Sequence, residues 1–163
     1  MEQHADFFSA ATAVGAVREL DVDAMRLLFR VECAGEFFYN ALADRLSHPQ
    51  AAELLRRNGR EERGHAERLR RAIGVKLGQP FEPSADDRAP YAMPLPDEIS
   101  PELLAMIVSA ELNGDIGYQR WADRESDPEV QRLLRLNGRE ETTHGERVTE
   151  VLALLRQTPS ATS

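Results

Sequence analysis

The amino-acid sequence predicts an all-α protein, a four-helix bundle made of two duplicated helix pairs joined by one long crossover. Three observations predict it. The segment LLRRNGREERGHAER at 54–68 returns as LLRLNGREETTHGER at 133–147, and Gly35, Tyr39 and Asp44 return as Gly114, Tyr118 and Asp123, always 79 positions later. Four long stretches place apolar residues three and four apart, the spacing of one helix face. Five prolines, Pro80, Pro83, Pro90, Pro94 and Pro96, crowd the span between the second and third stretches. An internal duplication accounts for the repeat, and since neither helix pair can bury its apolar face alone, both are expected to share one core.

Taken in order, residues 1–20 read as an N-terminal arm or short helix. The bundle is expected over 21–157, with a first repeat at about 22–74, a crossover at 75–99 and a second repeat at about 100–157. The first long helix is placed at 22–46 and ends at Ser47-His48-Pro49, because proline ends one helix and starts the next well. The second continues to about Ile73 and is expected to stop near Gly74. The proline-rich 75–99 stretch cannot be helical throughout. Ser100-Pro101-Glu102 supplies an N-cap, a first-turn proline and a first-turn acid, opening the third helix, expected to reach Ser126. Asp127-Pro128-Glu129 repeats that start for the fourth, which ends before Thr158 and Pro159. Residues 158–163 are expected to be a flexible tail. The short turns within each repeat require antiparallel neighbours. The crossover, about 25 residues at roughly 3.3 Å each, can travel the length of a roughly 37 Å helix, so the second and third helices can run parallel. Ferritin-like bundles have this connectivity.

Composition narrows the class of function. The chain carries 20 basic and 28 acidic residues, a net charge of −8, which disfavours nucleic acid and anionic membranes as partners. No apolar run approaches the roughly 20 residues of a membrane span, and the N-terminus lacks an export signal, so a cytoplasmic location is expected. The single Cys33 excludes an internal disulfide framework and any four-cysteine metal knuckle. Its counterpart is Leu112, and it reads as a small buried apolar side chain.

The chemistry lies in polar residues placed where a core is expected. The first helix carries Met25, Leu28, Glu32, Gly35, Tyr39 and Leu42 on one seam, and the third repeats this as Leu104, Ile107, Glu111, Gly114, Tyr118 and Trp121. The second reads Leu55, Asn58, Glu62, His65 and Leu69, and the fourth Leu134, Asn137, Glu141, His144 and Val148. Glu32, Glu62, His65, Glu111, Glu141 and His144 therefore fall on core seams at mid-height. An unpaired buried carboxylate costs several kcal/mol, and four together repel one another. Two divalent cations cancel that charge, and each E-x-x-H presents both groups to one pocket. Oxygen-rich ligation with two imidazoles suits iron(II), manganese(II) or zinc. Two iron ions per chain are the first choice, because an iron pair can change redox state and react with dioxygen or peroxide.

At these residues, over about 22–157, the chain resembles the ferritin-like di-iron carboxylate superfamily, above all its rubrerythrin and bacterioferritin branches. The resemblance implies that Glu62 and Glu141 bridge two metals, with Glu32 and His65 completing one and Glu111 and His144 the other. It also implies that Tyr39 and Tyr118 hydrogen-bond the bridging carboxylates. No rubredoxin-like segment is present, so a redox cycle needs an external electron donor. Arg63 stands where bacterioferritin has its haem methionine, so no haem is expected. Asp115 and Glu36 read as bundle-edge carboxylates paired with arginine, with a part in the metal site as the alternative. His48 and His4 read as surface or capping residues, and Arg60 and Arg139 as partners of nearby acids.

Three functions remain open at this level. One is a rubrerythrin-type reaction with hydrogen peroxide or dioxygen. Another is an oxygenase or hydroxylase on an organic substrate, reached by an apolar channel roofed by Phe81, Tyr91 and Met93. The last is a ferroxidase or a metal-binding protein without turnover. A homodimer is the expected assembly.

Overall fold

The computed structural model describes residues 6–89 and 91–157. Its helices are α1 (Phe7–Gly15), α2 (Val22–Ala43), α3 (Pro49–Leu77), α4 (Pro101–Arg124) and α5 (Pro128–Gln157). The fold is the expected all-α, ferritin-like bundle of α2 to α5, with α1 lying outside it. His4 and the tail expected over 158–163 fall outside the described residues.

Side-chain caps start the helices, at Ser100 and Asp127 as the sequence suggests and at Asp21 and His48 besides. The carboxylate of Asp21 accepts from Ala24 N at 2.8 Å, the Ser100 hydroxyl accepts from Leu103 N at 3.1 Å, and Asp127 accepts from Glu129 N and Val130 N at 2.9 and 3.1 Å. His48 caps α3 by accepting from Ala51 N through Nδ1 at 3.3 Å. Ahead of them, Asp6 and Ser9 form a reciprocal capping box that lets the nine-residue α1 begin.

Helix ends differ more from expectation. α2 and α4 stop at Ala43 and Arg124, two to three residues early, whereas α3 runs past Gly74 to Leu77. The stop for α3 is Gly78, at φ 66°, a left-handed conformation that glycine adopts without a Cβ clash. Gly74 instead lets the chain double back, since a Cβ there would stand 3.3 Å from the carbonyl oxygen of Gln79.

Close packing joins α2 to α3, α4 to α5 and α3 to α5. α2 and α4 stand further apart, and α1 rests on α2 at this open side. Two apolar plugs fill the bundle ends. One contains Met25, Leu28, Leu69, Ile73, Trp121 and Leu134, the other Leu42, Leu55, Leu104, Ile107, Val148 and Val151. Burying each such side chain stabilises the fold by about 1.5–3 kcal/mol. Between the plugs lies a polar belt that the apolar pattern leaves open.

The crossover follows α2 on its outer side. Arg26 pairs with Asp87 at 3.0 Å and Arg30 donates to Ala89 O at 2.9 Å, so two successive turns of α2 hold the crossover, and Arg45, just past the end of α2, donates to Pro96 O at 3.0 Å. Ser84 adds bonds from its amide and hydroxyl to the same Asp87 carboxylate.

Candidate metal centre

The polar belt brings all six sequence-predicted ligand residues together. α2 supplies Glu32, α3 supplies Glu62 and His65, α4 supplies Glu111, and α5 supplies Glu141 and His144, and every one of them is buried. They form two groups of four, Glu32, Glu62, His65 and Glu141, and Glu62, Glu111, Glu141 and His144. Glu62 and Glu141 belong to both. Within each group the candidate ligand atoms lie within 4.8 Å of one another, close to the roughly 4 Å that opposite ligands of one cation span.

The imidazoles show which way the site faces. His65 Nε2 lies 3.1 Å from Glu140, and His144 Nε2 lies 3.2 Å from Glu61. The opposite atoms, Nδ1 of His65 and of His144, are buried without a hydrogen-bond partner. His65 Nδ1 stands 3.4 Å from both Glu32 and Glu141, and His144 Nδ1 stands 3.2 Å from Glu62 and 3.5 Å from Glu111. A buried nitrogen that lacks a partner and faces carboxylates suits a cation between them, so the donor set fits a metal pair.

Electrostatics point the same way. Burial, with Glu141 and Glu32 nearby, raises Glu62 well above the usual carboxylate range. Burial and Glu141 raise Glu111 to about 8. Glu141 is held low despite its burial by the imidazoles of His65 and His144. Burial alone would push both histidines down, yet the surrounding carboxylates raise them above their usual value. Without a cation the belt therefore keeps extra protons, on carboxyl groups and imidazoles alike.

The structure adds supports that sequence reasoning missed. Arg68 pairs with Glu140, and Arg147 pairs with Glu61 at 2.6 Å, so each histidine is backed by a glutamate and then an arginine. Asn137 Nδ2 donates to His65 O at 3.3 Å, and Asn58 Nδ2 donates to His144 O at 3.2 Å. Glu61, Arg68 and Asn58 match Glu140, Arg147 and Asn137 at the 79-residue offset, and that shared repetition is the signal that could have found them.

The tyrosine expectation needs correction. Tyr39 donates to Glu111 and Tyr118 to Glu32, not to Glu62 or Glu141 as the resemblance implied. The reason is geometric: each ring rises from the α2–α4 side and meets the carboxylate of the facing helix. Burial first, then the neighbouring carboxylates, raises both phenols well above their usual value, so they stay protonated and donate.

Other expectations divide. Glu36 does pair with Arg63, whereas Asp115 accepts from Thr142 Oγ1 at 2.7 Å and from Gln119 Nε2 at 2.8 Å, because Thr142 occupies the position equivalent to Arg63. Neither belongs to the two ligand groups. Arg60 pairs with Glu53 at 2.7 Å. Cys33 is half-buried against the apolar core, and burial pushes its thiol up to about 11.

The proposed channel roof also needs correction. Phe81 packs edge-on against Phe29, and Tyr91 stacks under Arg30, which stands 3.9 Å above its ring. Neither lines the opening to the belt, and nor does Met93. That opening, a cavity of about 630 Å³, lies between α2 and α4 and is roofed by Phe7, Phe8, Ala11, Thr12, Val14 and Gly15 of α1.

A ferritin-like bundle with two overlapping carboxylate–histidine groups defines the class, a four-helix protein whose centre could hold metal. The rubrerythrin family model matches residues 23–152, and the chain belongs to that family. No curated protein and no solved structure matches it. Among the described residues, no helix is long and apolar enough to cross a membrane.

Proposed function

We propose that the chain is a non-haem di-iron protein that reduces hydrogen peroxide or dioxygen with electrons from an external donor. Glu62 and Glu141, common to both groups, would be shared by the two irons, Glu32 and His65 would hold one, and Glu111 and His144 the other. The observation that carries the reading is the pair of ligand groups sharing Glu62 and Glu141, with both histidine Nδ1 atoms aimed inward and unpartnered. Two adjacent irons, when bound, would supply two electrons, enough to cleave the O–O bond of peroxide to water or to take dioxygen to the peroxide level, and the external donor would restore them.

The chain's own residues set the stage for that chemistry. Glu140 and Glu61 accept from Nε2–H, which fixes the tautomer and leaves Nδ1 as the ligand atom. Arg68 and Arg147 pair with those glutamates and hold them in place. The Tyr39 and Tyr118 hydroxyls orient Glu111 and Glu32 and hold a proton within reach of the belt. Gly35 leaves room for the Glu62 carboxylate, since a Cβ at that position would stand 3.0 Å from its Cδ and Oε2.

The test is anaerobic loading with iron(II) followed by rapid mixing with hydrogen peroxide and, separately, with dioxygen, monitored in the near-ultraviolet. The expected result is saturation at two irons per chain and faster oxidation by peroxide than by dioxygen. Saturation at a different stoichiometry, or no oxidation by either reagent, would overturn the assignment.

A further inference from the structure

The cavity above the carboxylate belt is larger than the proposed reaction needs. One water occupies about 30 Å³ of liquid, and peroxide is little larger, whereas this space measures about 630 Å³ and lies within the roughly 300–1,000 Å³ of small-molecule sites. Its walls include Phe7, Phe8, Val14, Leu28, Ile116 and Trp121, which give water few hydrogen-bond partners. Its floor consists of Glu32, Glu62, Glu111 and Glu141. The two repeats differ at this wall, and a Cβ at Gly117 would touch the Trp121 ring at 3.5 Å. Phe38 of α2 has Gly117 as its counterpart on α4, and Gly117 lines the cavity, whereas Phe38 is buried against Phe7 at a ring separation of 5.3 Å.

The roof is tied down at its two ends. Phe7 N donates to Ala92 O at 3.1 Å at one end. At the other, Arg120 donates to Gly15 O and Val17 O at 3.2 and 3.1 Å, and Trp121 Nε1 donates to Val17 O at 2.9 Å. Arg120 is the single basic side chain of the lining; these carbonyls engage its Nη2, while its Nε is buried without a hydrogen-bond partner. Exposed Phe8 and Ile116, at 41% and 64%, mark the rim.

We propose that this cavity binds a small, neutral, predominantly apolar organic molecule, with one end against the carboxylate belt and its body between α1 and α4. Apolar walls favour burial of a hydrocarbon body. An anionic head at the floor would meet the four carboxylates of Glu32, Glu62, Glu111 and Glu141, against the one guanidinium of Arg120 in the lining. The proposal rests on the cavity and its lining, and it holds whichever metal the belt takes and whatever reaction occurs there.

Trp121 is the chain's one tryptophan and stands in the cavity wall, so its fluorescence reports occupancy directly. The full chain, metal-free and zinc-loaded, is titrated with 1-octanol and with sodium octanoate. The expected result is a saturable change in emission with 1-octanol in both forms, and binding of octanoate about ten-fold weaker to the metal-free form. Ala11→Phe and Gly117→Leu fill the space from the roof and from the α4 wall, and each should abolish the response while zinc stoichiometry stays at the wild-type value. Circular dichroism identifies a variant that fails to fold, and the other then decides. No saturable response in the wild-type chain, an unchanged response in the folded filled variants, or equal binding of octanoate to the metal-free form would each overturn the proposal. A failure to bind two metals would instead count against the di-iron reading and leave the fluorescence result standing.

Discussion

The two repeats agree closely around the carboxylate belt and diverge outside it. Inside, Asn58, Glu61, Glu62, His65 and Arg68 have identical counterparts in Asn137, Glu140, Glu141, His144 and Arg147. Outside, Arg63 pairs with Glu36 where Thr142 bonds Asp115, and Phe38, which packs on Phe7, has Gly117 as its counterpart against the Trp121 ring. The comparison teaches where the constraint lies. Groups that share one buried charge problem have only one solution, so both repeats keep it, while the surface and the access route remain free to differ.

Four predictions break or sharpen this comparison, from the largest effect to the smallest. Glu62→Ala and Glu141→Ala should each abolish binding of the metal pair, because each carboxylate serves both groups. Metal analysis of the purified variants checks this, and one that retained two metals would refute the equivalence.

The metal-free protein should lose stability as pH rises. Glu111, raised from 4.5 to about 8, keeps its proton in the fold after the unfolded chain has released it. Glu62, His65 and His144 are also raised, so they act in the same direction. The folded state thus binds more protons than the unfolded state, and stability falls from about pH 4.5 through about pH 8, by an amount on the order of several kcal/mol. Thermal melts across that range should show the gap between metal-free and zinc-loaded protein widening with pH.

The two arginine supports should separate the repeats. The Arg147 side chain is 10% exposed and that of Arg68 24%, and their glutamates differ in the same sense. Arg147→Met should therefore cost about 2–3 kcal/mol and Arg68→Met about 1 kcal/mol in denaturant unfolding. Equal costs would mean that the difference in burial carries no energy.

Smallest is the glycine pair. Gly35→Ala would press on Glu62 at 3.0 Å, whereas Gly114→Ala would meet Glu141 at 3.4 Å, an ordinary contact. The first should weaken zinc affinity about ten-fold, the loss typical of a disturbed ligand support. The second should leave affinity unchanged and raise helix stability by up to about 1 kcal/mol. Competitive zinc titrations distinguish them.

Much of this was legible in the sequence because it depends on helical periodicity. The seams through Glu32, Glu62, Glu111 and Glu141 follow from spacing alone, as do the caps at Ser100 and Asp127. What stayed hidden depends on which helix faces which. Glu61 sits beside Glu62, about 100° around the helix, and only the packing of α3 on α5 brings it to His144. Tyr39 reaches Glu111 because α4 faces α2 across the belt, a relation that spacing within α2 does not contain. The end of α3 lies at Gly78 and not near Gly74 because it is Gly78 that takes the left-handed conformation, a property of the backbone that the residue type alone does not carry. The roof comes from α1 and not from the aromatic residues of the crossover, and the nine-residue α1 gives only a weak periodic signal in the sequence.

Nearly every support in the belt passes from one repeat to the other: Glu61 and Asn58 hold His144, Glu140 and Asn137 hold His65, Tyr39 holds Glu111 and Tyr118 holds Glu32. A half-length ancestor would have carried every kind of residue needed but no complete centre. Two copies of it facing each other about a twofold axis would have assembled both groups at once, and gene fusion through the crossover would then have turned a dimer interface into the interior of a single chain.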